Sequence, residues 1–399
     1  MTAELVLPVG FRAAGIHCGI KSDPEKLDLS LLVSDCPAIA AGVYTTNRVC
    51  GAPISVCRER LPSSAARAVL INSGNANACT GERGIDDART STQAVASELA
   101  CEATDVLMLS TGVIGRLLPM EKLTAGIPKL TAELSFSTEG FHRAARGMMT
   151  TDTVTKQSVR RLRIGEKSVT VSGVAKGAAM IAPNMATMLA VVMTDATLTP
   201  DEAERILRAS VERTFNRISI DGHTSTSDAV LLMANGASGV DASNEPAGQA
   251  IATAIAEVCG DLSKSIVRDA EGATHFVTVD VRGLPTEDDA VRVARAVADS
   301  PLVKTAIAGA DPNWGRVVSA AGYSGIEFEE RELSLELNGV SVYRDGVPQA
   351  FDARAVSKSM RENRDLSLVL TFSRGNAFAC MHTCDLTAEY VRLNADYTT

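Results

Sequence analysis

The stretch AKGAAMIAPNMATMLAVVMTDA, residues 175–196, joins a turn-forming segment to a continuous apolar run. Pro183 and Asn184 favour a turn, and the apolar residues 188–193 have the composition of a buried strand. Thr187 stands where the two meet, directly after the small residue Ala186. Two interpretations are open. Thr187 is an ordinary strand residue, since threonine favours β structure, or it is a nucleophile held at the first position of a strand.

Length, composition and charge exclude several classes of protein. A chain of 399 residues is long for one core, so two or three layered subdomains are expected. No apolar run approaches the roughly 20 residues of a membrane-spanning helix, and no secretory signal precedes the first strand, so we expect a cytoplasmic protein without a membrane partner. A net charge of −9 argues against a nucleic-acid partner, because such binding depends on Lys and Arg.

The nine cysteines are scattered without a paired framework, which predicts reduced thiols. Cys380, His382 and Cys384 alternate along the chain and would share one face of a strand. Their spacing is not an established zinc pattern and no fourth ligand is evident, so a half-buried strand without a metal is predicted.

The pattern of apolar and polar residues predicts a mixed α and β protein. Across 38–57 we expect short strands divided by Gly42, Gly51 and Pro53. Small and turn-forming residues accumulate at 72–81, which predicts a tight loop. Further strands are predicted at 68–71, 106–109, 167–174, 366–372 and 377–385, with a hairpin turn at Asn338-Gly339.

The clearest helix signal is Thr199 followed by Pro200 and Glu202, which is typical of a capping box with proline in the first turn. That helix should end near Asn216. Other helices are predicted at 86–103, around 141–149, and at 246–268, 286–299 and 353–363.

Familiar catalytic motifs are absent: there is no G-x-G-x-x-G after a strand, no H-E-x-x-H and no G-x-S-x-G. With five histidines, widely scattered, a Ser-His-Asp triad is not identifiable. A threonine hydroxyl needs a base, and the free α-amine of an N-terminal threonine is one such base. That amine would exist here if the peptide bond between Ala186 and Thr187 were cut. Its pKa of about 7.7–8.0 would leave it partly neutral near pH 7.

Several ordered motifs resemble the bifunctional glutamate N-acetyltransferase/ornithine acetyltransferase family of arginine biosynthesis, and they extend from about residue 70 to the last residue. The matching segments are NSGNANACTG (72–81), LSTGVIGR (109–116), MTTDT (149–153), AKGAAMIAPNMATML (175–189), DGHTSTSDAV (221–230), RDAEGAT (268–274), DPNWGR (311–316) and CDLTAEYVRLNADYTT (384–399).

The resemblance implies an α+β fold, an αββα sandwich of the self-processing N-terminal-nucleophile-like type (DmpA/ornithine acetyltransferase). It implies self-cleavage between Ala186 and Thr187 into an α fragment, 1–186, and a β fragment, 187–399, which assemble as an α2β2 heterotetramer. The implied reaction moves an acetyl group from N-acetyl-L-ornithine to L-glutamate through an acetyl-threonine, with no cofactor. Acetyl-CoA is a candidate co-substrate, since bifunctional members also make N-acetylglutamate from it.

The same resemblance implies site residues. Thr187 would be the nucleophile, and the Thr111 side chain with the Gly112 backbone N–H would form the oxyanion hole. The alternative for these two is a turn that ends a strand. Substrate contacts would come from Thr150, Thr151, Lys176, Thr187, Glu271, Asn394 and the C-terminal Thr399. Without the resemblance, a helix cap for the threonines of 150–151 and surface charges for Lys176 and Glu271 are the simpler roles.

Four positions depart from the family pattern. His223 stands where an acidic residue is usual, Ser227 where Asn is usual, His275 where Lys is usual and Thr155 where Pro is usual. Amino-acid preference is therefore open, and a paralogue with a different acceptor in a specialised pathway is one alternative. An N-terminal-nucleophile amidohydrolase, with water as acceptor, is a second. An uncut amino-acid-binding protein is a third.

Overall fold

A computed structural model describes residues 5–182 and 188–396. The strands are β1 Phe11–Ile16, β2 Leu29–Tyr44, β3 Ser63–Asn75, β4 Val106–Val113, β5 Lys156–Ile164, β6 Lys167–Lys176, β7 Leu189–Thr194, β8 Ile218–Ser219, β9 Ala229–Ala234, β10 Phe276–Leu284, β11 Leu333–Leu337, β12 Val340–Arg344, β13 Val347–Pro348, β14 Asp365–Phe372 and β15 Ala377–Cys384. The helices are α1 Ala52–Arg60, α2 Gly81–Leu99, α3 Met120–Ala132, α4 Thr138–Met148, α5 Pro200–Arg213, α6 Ala247–Arg268, α7 Glu287–Asp299, α8 Pro301–Ala308, α9 Trp314–Gly322, α10 Ala353–Glu362 and α11 Ala388–Asp396.

Helix α5 begins where the capping box predicts. The Thr199 hydroxyl accepts a hydrogen bond from the Glu202 N–H at 3.2 Å, and the Glu202 carboxylate accepts one from the Thr199 N–H at 2.8 Å. These two bonds satisfy donors that a helix start leaves free. The helix ends at Arg213, slightly before the predicted Asn216, because a 3-10 turn follows at Phe215–Arg217.

The segment 38–57 is not a series of short strands, so that prediction is wrong. Strand β2 continues without a break to Tyr44, and α1 begins at Ala52. Gly42 lies inside this strand. A glycine is needed there because a Cβ would stand 2.2 Å from the Tyr44 hydroxyl. Pro53 lies in the first turn of α1, where a missing N–H costs nothing. The predicted loop at 72–81 is also shorter, since its first four residues belong to β3.

Eight strands form the first sheet, in the order β4-β3-β2-β9-β7-β6-β5 with β1 beside β2. Strand β2 has 16 residues, and its register against β3 shifts between Val33 and Ala38. Residues before this bend pair with β1 and β3, whereas residues 39–44 pair with β9, and Ala38 and Ala40 still pair with β3. The sheet therefore folds into a first leaf of β1, β3, β4 and the start of β2, and a second leaf of β5, β6, β7, β9 and the end of β2.

Side chains of the two leaves alternate between an inner and an outer core. Val69 and Ile71 of the first leaf pack with Val191 and Leu231 of the second in the inner core between the leaves. The outer face of the first leaf packs on α2 and α3, and that of the second on α5 and α6. The layers are helix, sheet, sheet and helix, which confirms the predicted αββα fold class.

The second sheet has seven strands, in the order β13-β12-β11-β14-β10-β15-β8. Helices α7, α8, α9 and α10 cover one of its faces. The hairpin predicted at Asn338-Gly339 is confirmed, with both residues at positive φ, 46° and 78°. The strand predicted near the C-terminus is confirmed as β15, where Met381 faces the core and Cys380 and His382 are partly exposed.

The predicted fragments 1–186 and 187–399 are not separate lobes. Strand β6 precedes the predicted cleavage point and β7 follows it, yet the two are antiparallel neighbours, with Val174 opposite Val191. Both fragments therefore contribute strands to the first sheet. Among the described residues, no helix is long and apolar enough to cross a membrane.

Candidate active site

One cavity lies where strand ends of the first sheet meet loops from the second half of the chain. It brings together seven of the predicted site residues: Thr111, Gly112, Thr150, Thr151, Lys176, Glu271 and Asn394. The same cavity is lined by Ala76, Ile114, Ala179, Met180, Ser225, Thr226 and Ser227. The predicted nucleophile Thr187, the preceding Ala186 and the C-terminal Thr399 lie outside the described residues.

Gly112 stands at a close approach of two backbones. In the parallel pair of β3 and β4 it lies opposite Gly74, and its φ is +129°. A Cβ at this position would lie 2.4 Å from the Gly74 carbonyl carbon, so a side chain cannot be accommodated without moving β3. The glycine of the S-T-G segment therefore holds the end of β4 against β3, next to the cavity.

Hydrogen bonds among buried side chains stabilise the end of β4. The Ser110 hydroxyl donates to the Asn72 side-chain oxygen, and the Asn72 amide donates to the backbone oxygen of Asn75 at 2.8 Å. The Asn75 amide donates in turn to the backbone oxygens of Arg116 and Leu117, at 3.2 and 3.0 Å. Because these groups are buried and paired, they fix the loops on both sides of Thr111.

Lys176, the last residue of β6, lies against Thr111. Its Nζ is 3.2 Å from the Thr111 Oγ1, and each residue is only 4% exposed. Burial lowers the pKa of Lys176, while the nearby carboxylate of Asp152 opposes that shift. The sequence-based alternative of a solvated surface lysine is therefore wrong.

Asp152 is the centre of a buried polar network below the cavity. Its Oδ1 accepts hydrogen bonds from the Lys156 Nζ and the Gly177 N–H, both at 2.6 Å, and its Oδ2 accepts one from the Thr150 N–H at 3.0 Å. Burial by itself would raise the pKa of this carboxyl, but Lys176, Lys156 and the Gly177 N–H outweigh it and lower the pKa to about 2.

Lys156 extends the network to the other half of the chain. It also contacts the Asp269 carboxylate at 2.5 Å, and Asp269 accepts a hydrogen bond from the Thr153 N–H at 3.0 Å. The segment that carries Thr150 and Thr151 is thus a loop held by buried ion pairs. No helix begins there, so the helix-cap alternative for these threonines is wrong.

Glu271 and Asn394 meet at the mouth of the cavity. The Asn394 side-chain amide donates to the Glu271 carboxylate at 2.9 Å, and the Glu271 N–H donates to the Ala178 oxygen at 2.9 Å. The helix that carries Asn394, α11, is docked through the Tyr390 hydroxyl, which donates to Asp221 at 3.0 Å. Helix α11 therefore brings Asn394 to the cavity.

Three of the four positions that depart from the family pattern, Ser227, His223 and His275, differ in their relation to the cavity. Ser227 is buried and lines the cavity. His223 is exposed on the preceding turn. His275 is buried between Asp385, 3.0 Å from its Nδ1, and the backbone oxygen of Met360, 3.0 Å from its Nε2. Ser227 is thus the one of these three that faces the cavity.

The sequence reasoning missed three charged residues of the network, Asp152, Lys156 and Asp269. Asp152 and Asp269 stand inside the quoted motifs MTTDT and RDAEGAT, so their position was a signal. Their mutual contact through Lys156 was not predictable, because it joins residues more than a hundred positions apart. Asp228, which accepts a hydrogen bond from the Met188 N–H, was also missed, because this contact joins two motifs 40 positions apart.

The four layers, with a cavity at the strand ends that Thr111 and Gly112 line, define an enzyme of the N-terminal-nucleophile-like αββα class. A model of the ArgJ family matches residues 12–399. The arginine biosynthesis bifunctional protein ArgJ of Rhodopirellula baltica is 45% identical over 401 residues, covering 100% of this chain and 98% of that protein. The protein of the same name from Geobacter sulfurreducens is 45% identical over 392 residues, covering 98% of this chain and 99% of that protein.

Among solved structures, ArgJ from Bacillus halodurans is 43% identical and covers 45% of this chain and 92% of that chain, with a TM-score of 0.43. The extent of the family match and the identity to full-length relatives are sufficient for the assignment: the chain belongs to the ArgJ family.

Proposed function

We propose that the chain is a self-cleaving acetyltransferase that moves the acetyl group of N-acetyl-L-ornithine to L-glutamate by a ping-pong mechanism. Membership of the ArgJ family, whose relatives are named for arginine biosynthesis, supports this reaction class. The observation that carries the proposal is the single cavity lined by Thr111, Gly112, Lys176, Glu271 and Asn394. These residues come from four separate parts of the chain, and the family resemblance predicts that they share one site.

The proposed reaction begins when the Thr187 oxygen attacks the Ala186 carbonyl and the acyl group shifts from nitrogen to oxygen. Water then hydrolyses this ester, which releases fragment 1–186 and frees the α-amine. The released α-amine of Thr187 takes the proton of its own hydroxyl, and the Thr187 oxygen attacks the acetyl carbonyl of N-acetylornithine. The developing oxyanion receives hydrogen bonds from the Thr111 hydroxyl and the Gly112 N–H. Loss of one such donor commonly costs about 2.7–4 kcal/mol of barrier. Ornithine then leaves with a proton on its nitrogen, and glutamate attacks the acetyl-threonine in the second half of the cycle.

Substrate recognition follows from charge. Glu271 lies at the cavity mouth beside Asn394, where it is suited to the side-chain ammonium of ornithine. Thr150 and Thr151 line the same cavity and would offer hydroxyl and backbone groups to the substrate. We assign Thr399 and Thr187 as further substrate contacts by family resemblance. The same resemblance implies a contact between Lys176 and the substrate carboxylate.

The remaining parts of the proposal concern donors and assembly. Acetyl-CoA is proposed as a second acetyl donor, since relatives are named bifunctional. The two fragments are proposed to assemble as an α2β2 heterotetramer in the cytoplasm, with reduced thiols. Addition of acetyl-CoA in place of N-acetylornithine, with glutamate as acceptor, tests the second activity directly.

A paralogue with another acceptor is the second candidate, and the position of Ser227 in the cavity wall favours it. A panel of amino-acid acceptors distinguishes the two proposals, since the first requires glutamate to give the highest kcat/KM. Release of acetate at a rate independent of any amino acid would instead indicate an amidohydrolase.

Intact-mass analysis after incubation with N-acetylornithine tests the main proposal. We expect two fragments, 1–186 and 187–399, with an acetyl adduct on the second. The Thr187→Ala variant should remain one chain without an adduct. A wild-type protein that stays uncut and still transfers acetyl would refute the mechanism.

A further inference from the structure

The hydrogen bond between Lys176 and Thr111 determines where the Thr111 hydroxyl hydrogen points. An ammonium group has three hydrogens and no lone pair, so Lys176 donates and the Thr111 oxygen accepts, across 3.2 Å. A hydroxyl has a single hydrogen, and that hydrogen must lie away from the ammonium. Both residues are 4% exposed, so bulk water does not compete for either partner.

The Thr111 hydrogen has no acceptor among residues 5–182 and 188–396. Thr111 accepts from Lys176 and lines the cavity, and its hydroxyl donates to none of the described groups. Because Lys176 occupies a lone pair of this oxygen, the hydrogen stays available to an acceptor in the cavity that both residues line. The Thr111 hydroxyl therefore needs no reorientation to donate to a negative oxygen that forms in the cavity.

Other contacts keep Lys176 in this position. It is the last residue of β6, and the next residue, Gly177, donates its N–H to the Asp152 carboxylate at 2.6 Å. Burial disfavours the ammonium, and the negative charge of Asp152 favours it. The carboxylate itself is held by Lys156 at 2.6 Å, so the arrangement is a rigid network and not a mobile surface pair.

We propose that Lys176 is a positioning residue of the oxyanion hole, which fixes and strengthens the Thr111 hydroxyl as a donor. This role differs from the substrate-carboxylate contact implied by family resemblance, and it rests on the acetyl transfer proposed above. As the Thr187 oxygen bonds to the acetyl carbon, the carbonyl π electrons move to the carbonyl oxygen, which Thr111 then stabilises. When those electrons return, the carbon–nitrogen bond to ornithine breaks, and no further reactant is needed.

The two roles of Lys176 predict different kinetics. A positioning role predicts that Lys176→Met lowers kcat by about 100-fold with little change in the KM for N-acetylornithine, as loss of an oxyanion donor does. A carboxylate contact made equally in the ground and transition states predicts a raised KM with kcat unchanged. That second result would overturn the inference.

A double-mutant cycle with Thr111→Val gives the decisive measurement. If Lys176 acts through the Thr111 hydroxyl, the double variant should be no slower than the slower single variant. Effects that multiply would show that the two residues act independently and would refute the proposal. Should Lys176→Met not fold, Lys176→Leu, which likewise has no hydrogen-bond donor, replaces it in the cycle with the same readouts and the same outcomes.

The chain offers a matched control in the buried pair of Lys304 and Thr383. The Lys304 Nζ lies 2.8 Å from the Thr383 hydroxyl, and both residues are buried outside the cavity. Lys304→Met removes the same kind of bond, so it should lower the Tm while leaving kcat per folded molecule unchanged. A wild-type enzyme without acetyl transfer would refute the proposed function, whereas an active wild type with additive variants would refute only the role of Lys176.

Discussion

The carboxylate of Asp228 accepts a hydrogen bond from the backbone N–H of Met188 at 3.0 Å, at the position where β7 begins. Asp228 is completely buried, and its neighbour Ala229 donates its own N–H to the Met188 oxygen at 3.1 Å. Burial raises the pKa of Asp228 well above its usual range. Met188 is the residue after the predicted nucleophile, so this carboxyl fixes the chain immediately beside the proposed reaction centre.

Replacement of Asp228 by alanine should therefore lower the free energy of unfolding and slow self-cleavage. The alanine leaves the buried Met188 N–H without its acceptor, and an unsatisfied buried donor costs about 1–3 kcal/mol. Urea unfolding measures the first effect, and the appearance of two fragments on denaturing gels measures the second. The control is Asp195→Ala. The Asp195 carboxylate accepts hydrogen bonds from the Val9 and Thr170 N–H groups, at 3.0 and 2.8 Å, just beyond the other end of β7. The Asp195→Ala variant should therefore be less stable than the wild type but cleave itself at the same rate.

Asp152 makes stability depend on pH in the acid range. Its pKa is lowered from 3.8 to about 2, so its contribution to stability is complete above the unfolded value and is lost as the pH falls through about 2. That contribution amounts to about 2 kcal/mol at neutral pH. The Asp152→Asn variant lacks it at every pH. The difference in unfolding free energy between wild type and variant should hence shrink between pH 4 and pH 2, and a constant difference would contradict the assignment.

Gly112→Ala should abolish acetyl transfer and destabilise the fold. The new Cβ would lie 2.4 Å from the Gly74 backbone, so β3 and β4 must separate at the cavity wall. Gly115→Ala is the control, because Gly115 also has a positive φ, 79°, but a Cβ added there would meet nothing within 4 Å. The control variant should lose only about 1–3 kcal/mol of unfolding free energy through backbone strain and should retain acetyl transfer. Thermal unfolding and the acetyl-transfer rate test both expectations.

Glu271→Gln should raise the KM for N-acetylornithine, because the ammonium of the substrate loses a charged acceptor. A hydrogen bond to a charged group is worth about 1.5–3 kcal/mol, which corresponds to at least a tenfold effect on kcat/KM. Glu389→Gln serves as control, since Glu389 lies on the same C-terminal helix as Asn394 and pairs with Arg392 in solvent. Equal effects of the two variants would rule out the assigned contact.

Ser227→Asn, a change toward the usual family residue, should alter the ratio of kcat/KM values among amino-acid acceptors, because Ser227 lines the cavity. His223→Asp is the matched change outside it and should leave the ratios as they are. A competition assay with mixed acceptors gives the ratios directly. If His223→Asp shifts the ratios and Ser227→Asn does not, the cavity does not select the acceptor.

Local signals in the sequence predicted much of the fold. The capping box at Thr199 and the Asn338-Gly339 turn are short-range features, in which neighbouring residues satisfy each other's backbone groups, and both are confirmed. Strand β2 was not predicted correctly, because Gly42 and Pro53 resemble strand breakers. Their actual roles depend on Tyr44 packing and on the start of α1, which are tertiary facts.

For the candidate site, too, the residues were predictable from the sequence, whereas the contacts between them were not. Motif resemblance singled out Thr111, Lys176, Glu271 and Asn394, and the cavity contains all four. The contact of Lys176 with Thr111 links positions 65 residues apart on different strands, and the bridge from Asp152 through Lys156 to Asp269 spans a still longer separation. Such contacts follow from sheet order and register, which a single sequence does not specify.

The antiparallel pairing of β6 with β7 has a consequence for the molecule after the proposed scission. Strand β6 would belong to one product polypeptide and β7 to the other. The backbone hydrogen bonds between them, in the register from Val171 opposite Thr194 to Lys176 opposite Leu189, would join the two products. Cleavage of the peptide bond would thus expose a reactive N-terminus, while both fragments stay bound to each other. The halves should elute together under native conditions, melt in one transition, and come apart only in denaturant.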